Sequence, residues 1–159
     1  MKKIEIEIPE GKDAQWVNGV LTLVDEQDVT ERIKTFGDAC NALGDEHPFV
    51  KEYWGVVNIN LDIAQDLIAY LKLRIITTAL NEGWEPKFVE EEKRWYAQYD
   101  FITEEDYNNT TDEVRVPLRV GYSVRVAGGV RLAFKSKELA EYAAKQFIDI
   151  YADYCFKSK

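Results

Sequence analysis

Histidine is almost absent from this chain and cysteine is scarce. His47 stands alone in Asp45-Glu46-His47-Pro48, and Cys40 and Cys155 are far apart. Metal centres built on these ligands need several at short, fixed spacings, so no metal is expected. Two cysteines make no disulfide framework. Set among apolar residues in helical-looking segments, they read as small core fillers. No apolar run approaches the ~18 residues of a membrane span, and the start, MKKIEIEIPEG, has no signal-peptide core. G-x-G-x-x-G, P-loop and nucleophile-elbow patterns are missing too, since Gly121-Tyr122-Ser123-Val124-Arg125 lacks the second glycine of the last. His47, beside a proline, reads as structural. These absences call for no cofactor, nominate no catalytic residue and make the cytoplasm the default compartment.

Acid is abundant. The 159 residues carry a net charge of -9 at neutral pH. That balance favours solubility and works against attraction to nucleic acid or an anionic membrane. The length suits one domain, 1–159, with an N-terminal strand and hairpin over 1–27 and a helical and sheet core over 28–159. A chain of this size buries roughly 70% of its unfolded surface and needs no disulfide or metal staple.

Periodicity supplies the expected elements. Ile4, Ile6 and Ile8 alternate with Glu5 and Glu7 as in a strand. Asn18-Gly19 between apolar runs is a hairpin signal, and a two-residue loop pairs Val17 with Val20, Trp16 with Leu21 and Ala14 with Leu23. Asp28 with Glu31, and Thr35 with Asp38, open either one bent helix or two short ones before Gly44. Residues 45–55 read as loop. A long helix is expected over about 60–82, capped by Asn60 or Asp62. Its stripe runs through Ala64, Leu67, Leu71 and Ile75, is widened by Ile68, Ile76 and Leu80, and stops at Gly83 and Pro86. A strand follows over 94–102, and Ser136 caps a helix over about 137–156. The order predicts α+β: a mostly antiparallel sheet packed against the two main helices, with an N-terminal β-hairpin.

One stretch breaks the acidic pattern. Val114 to Lys137 holds Arg115, Arg119, Arg125, Arg131, Lys135 and Lys137 and no acid. Its apolar residues sit at even positions and most of its cations at odd ones, which predicts strands with one apolar and one cationic face. A three-residue loop, Ala127-Gly128-Gly129, pairs Val126 with Val130, Val124 with Leu132 and Tyr122 with Phe134. It also sets Arg125 opposite Arg131, so anions are needed nearby. They could be internal or from another subunit: residues 90–113 contain nine acids against two bases. Alternatively Arg115, Arg119, Arg125, Arg131 and Lys135 form a docking face for an external anion.

The aromatic residues around the acidic segment offer a further option. Trp84, Trp95 and Tyr99 are candidates for stacking on a sugar, although rings at strand spacing are more often core. An acid–base pair within Glu90-Glu91-Glu92 or Glu104-Glu105-Asp106 would make the chain an enzyme of unknown class.

Three segments, RIKTFGDACNALG (Arg32 to Gly44), DLIAYLKLRIITTALNEGWEP (Asp66 to Pro86) and RLAFKSKELAEYAAKQFIDIYADY (Arg131 to Tyr154), carry a resemblance. They resemble a family of small, acidic, uncharacterised proteins from gut Bacteroidetes, their mobile elements and phages. The family has no assigned activity, so the resemblance implies a mobile-element or phage context and transfers no site residue. The expectation is a non-enzymatic cytoplasmic interaction module that meets a protein partner or a second copy of itself. The alternatives are an anion or nucleic-acid binder, a carbohydrate binder and an enzyme.

Overall fold

The structure is a computed structural model and describes residues 6–9, 11–17, 19–25, 27–59, 63–87, 89, 92–99, 118–123 and 130–155. It begins with a hairpin of β1 (Lys12–Val17) and β2 (Val20–Asp25). Their antiparallel register sets Val17 opposite Val20, Trp16 opposite Leu21 and Ala14 opposite Leu23, as the two-residue loop requires. Gly19 takes a φ of 82°, where a side chain would be strained.

Three short helices follow. α1 (Val29–Arg32) is capped by Asp28, whose carboxylate accepts from the Thr30 N–H at 2.8 Å. α2 (Phe36–Leu43) opens on a reciprocal capping box: the Asp38 N–H donates to Thr35 Oγ1 at 3.1 Å, and the Thr35 N–H donates to Asp38 Oδ2 at 2.8 Å. The segment is therefore two helices. Residues between them are held from outside, because Tyr142 donates to the Ile33 carbonyl and Gln146 to that of Lys34, each at 2.7 Å. The loop expected over 45–55 is instead largely a helix, α3 (Pro48–Val57). Pro48 occupies its first turn, where a missing N–H does no harm, and Val50 and Tyr53 are its buried residues. The turn-forming residues there mark a helix start.

α4 (Gln65–Asn81) is the axis of the fold. Leu73, Ile75, Ile76 and Leu80 are wholly buried. Removing each such side chain from water stabilises by about 1.5–3 kcal/mol. Helices α2 and α3 pack against it, together with the C-terminal region. The apolar stripe does not extend to its first turn, where Leu67 stays exposed. The helix ends as Glu82 and Gly83 enter the left-handed region, at φ 50° and 84°. Asn60 and Asp62 lie outside the described residues.

β3 (Arg94–Tyr99) pairs antiparallel with β4 (Leu118–Ser123), Trp95 facing Tyr122. On the other edge of β3, Trp95 and Phe134 exchange backbone hydrogen bonds of 3.1 and 2.8 Å. The C-terminal helix expected over 137–156 is broken at Phe147 into α5 (Lys137–Gln146) and α6 (Ile148–Cys155). The break lets α5 cover β3 and β4 while α6 lies along α4, where Tyr154 stacks on Tyr70 at 5.9 Å.

The α+β expectation, a mostly antiparallel sheet packed against two main helices, is overturned. Among the described residues helices hold more than twice as many positions as strands, and the strands form only two separate two-stranded ladders. The core lies between helices, around α4, because that helix buries most of its circumference and needs neighbours on several sides.

Candidate functional site

Arg74, Thr77, Thr78 and Asn81 are spaced three and four apart, which brings them onto one side of α4. They form one wall of a cleft of about 650 Å³. Leu43 and the start of α3 (His47, Pro48 and Phe49) form another. The cleft is completed by residues 83–86 after α4 and by Arg131 and Ala133.

Arg74 is buried in this wall, at 8% exposure. Its Nη1 donates to Glu52 Oε2 at 2.8 Å, and its guanidinium lies 4.0 Å over the Phe49 ring and 5.7 Å from the Tyr70 ring. Its Nε makes no hydrogen bond. Thr77 is 3% exposed and its hydroxyl also has no partner. The neighbouring Thr78 hydroxyl shows the usual helical solution, donating back to the Arg74 carbonyl at 2.8 Å. A buried polar group left unsatisfied costs about 1–3 kcal/mol.

The other polar groups of the cleft are occupied. Asn81 donates from Nδ2 to the Ala133 carbonyl at 2.8 Å and accepts the Lys135 N–H on Oδ1 at 3.0 Å. His47 caps α3, its Nδ1 accepting the Phe49 N–H at 3.2 Å. A neutral ring with Nδ1 as acceptor carries its proton on Nε2, leaving a donor there.

Among the described cations, Arg131 and Lys135 line different clefts. Arg131 lies on a 3-10 turn, Val130–Leu132, exposed and lining the cleft, with no ion-pair partner among the described residues. Lys135 is paired through Nζ with Glu82 at 3.1 Å, and Glu82 also holds Arg32. Arg119 is on β4 opposite Gln98. Arg115 and Arg125 lie outside the described residues. The expected pairing of Tyr122 with Phe134 is replaced by Trp95, which pairs with Tyr122 in the β3–β4 ladder and forms a single bridge to Phe134 on its other edge. Leu132, Ala133 and Phe134 are buried in succession, a pattern that a strand with one solvated cationic face cannot produce. Among the described residues Lys135 pairs with Glu82, 53 positions away in sequence, and Lys137 with Glu141, one helical turn on, at 3.2 Å.

Of the three candidate stacking residues, Trp84 follows α4, and Trp95 and Tyr99 both lie on β3. Trp84 lines the cleft half-buried. Trp95 packs half-buried against the hydrophobic core. Tyr99 ends β3 opposite Leu118. Of the acidic runs, Glu90, Glu91 and residues 104–106 lie outside the described residues. Both thiols are free, and burial pushes each above the ordinary cysteine value, aided at Cys40 by the Asp45 charge.

Sequence reasoning missed Arg74, Thr77 and Asn81. The available signal was a polar i, i+3, i+7 series inside an otherwise apolar helix, which marks either a second partner or a wall left open. Comparison of the chain with protein-family models, curated proteins and solved structures finds no match.

Proposed function

We propose that this chain is a non-enzymatic interaction module of the cytoplasm that recognises its partner through the cleft along α4. The observation that carries the reading is the composition of that cleft. Two guanidiniums, two hydroxyls, an amide, a carboxylate and an imidazole line one concave surface beside Trp84 and Phe49. Pockets of roughly 300–1,000 Å³ with a few convergent polar groups are the usual form of a binding site. The imidazole already serves as a helix cap, and the thiols are held protonated at neutral pH. Both points favour binding over nucleophilic catalysis. No helix among the described residues is long and apolar enough to cross a membrane. The resemblance of three segments to small proteins of mobile elements and phages adds a context to this reading and no activity.

The test is capture from extracts of the native host, quantified by mass spectrometry. Arg131→Glu and Trp84→Ala alter the cleft at exposed and half-buried positions. Partners held by the unaltered chain and released by both variants, at unchanged Tm, support the module. Retention of the same partners by both variants overturns it.

A further inference from the structure

Resting on the reading of the α4 cleft as a binding site, we infer that it takes a small organic monoacid: one carboxylate on a flat, apolar body. Two buried polar atoms carry this. Arg74 and Thr77 are lining residues of the cleft and more than nine-tenths buried, and within them Arg74 Nε and the Thr77 hydroxyl have no hydrogen-bond partner. Buried polar groups are satisfied in the great majority of cases, so a pair left open beside a cleft marks a ligand's place. Both donate, and Arg131 adds a guanidinium with no ion pair among the described residues. Three donors suit an anion, and a planar carboxylate matches the guanidinium fork.

Charge limits the anion to one. Glu52 already balances Arg74, which leaves Arg131, among the described residues, as the one lining cation with charge to spare, while the exposed Glu85 carboxylate is screened by solvent and still opposes a second negative charge. A dianion such as a phosphate monoester would therefore be under-neutralised. The remaining surface is apolar: Leu43, Phe49, Trp84 and Ala133. Half-buried Trp84 offers a ring to a flat body. A peptide segment fits less well. The groups able to hold its backbone are spent, Asn81 on residues 133 and 135 and Thr78 on its own helix.

The experiment is an NMR titration of the full chain with 3-phenylpropionate, with 3-phenylpropionamide and inorganic phosphate as controls. Saturable shifts are expected at Phe49, Thr77, Trp84 and Ala133. The neutral amide should bind at least about tenfold more weakly, because it lacks the charge-assisted hydrogen bonds. Arg131→Gln, at an exposed position, should weaken the acid by a similar factor. Thr77→Val should act in two directions, raising Tm by roughly 2–4 °C while weakening the acid several-fold. A Thr77 that only packs would leave binding unchanged. Equal affinity for the amide, tighter binding of phosphate, indifference to Arg131→Gln, or no saturable shift in the cleft overturns the inference. If the acid fails while Arg131→Glu and Trp84→Ala still release a host partner, the monoacid falls and the interaction module stands. If both fail, neither survives.

Discussion

Asn81 and Lys135 are 54 positions apart in sequence and joined by a 3.0 Å hydrogen bond, from the Lys135 N–H to Asn81 Oδ1. With the second bond, from Nδ2 to the Ala133 carbonyl, this one buried side chain fastens the 133–135 segment to the end of α4 and fixes one side of the cleft. Asn81→Leu leaves both backbone groups unsatisfied and should destabilise by about 2–4 kcal/mol. Lys135→Met removes only the partly exposed pair with Glu82 and should cost less than about 1 kcal/mol. Urea unfolding of the two variants measures the contrast. A loss at Asn81 no larger than that at Lys135 would show that the junction is not what holds the segment.

His47 acts as a helix cap. His47→Ala should lower stability by about 1 kcal/mol, since the Phe49 N–H loses its acceptor. His47→Asn supplies a preferred capping side chain and should recover most of the loss. Equal denaturation midpoints for the alanine and asparagine variants would remove the cap from the account.

Acid should weaken the α1–α2 region through its caps. The hydrogen bond from the Thr30 side chain, then that from its backbone, lowers the Asp28 carboxyl below its ordinary 3.8. Asp38 is lowered chiefly by its hydrogen bonds from Thr35. A depressed folded-state value contributes stability that is complete above 3.8 and is lost as pH falls through the lower folded value. The advantage of the native chain over Asp28→Asn and Asp38→Asn should therefore shrink below that point, read as urea midpoints on descending pH. An advantage that stays constant into strong acid contradicts it.

Alkali should act on Tyr151. Burial raises its hydroxyl well above the ordinary tyrosine value of 10, with the neighbouring Cys155 thiol as a smaller cause. The neutral form is favoured in the folded state. The associated stability is complete below 10 and is lost as pH rises beyond it. Tyr151→Phe should flatten that alkaline loss, measured by thermal unfolding with increasing pH. An unchanged slope would place the alkaline sensitivity elsewhere.

Local signals were legible wherever they were complete within a few residues. Asn18-Gly19 specified the hairpin register, Thr35 and Asp38 the start of α2, and Gly83 the end of α4. α3 was hidden because His47 and Pro48 serve equally as turn formers and as the cap and first residue of a helix. The even-odd alternation of residues 130–134 misled because parity alone does not say whether a segment is a strand. A 3-10 turn followed by one bridge buries Leu132, Ala133 and Phe134 together.

By itself, the sequence determined an acidic chain with a hairpin, helix boundaries set by capping residues, and a long helix apolar around most of its circumference. These follow from contacts within a few residues and from periodicity, which need no knowledge of the fold. Only the tertiary structure decided that the core would gather around that helix, that Arg131 and Lys135 would part company, and that Arg74 and Thr77 would be buried beside a cleft. Each of those outcomes depends on segments up to tens of residues apart choosing among competing partners, and burial and hydrogen-bond satisfaction make that choice across the whole chain at once.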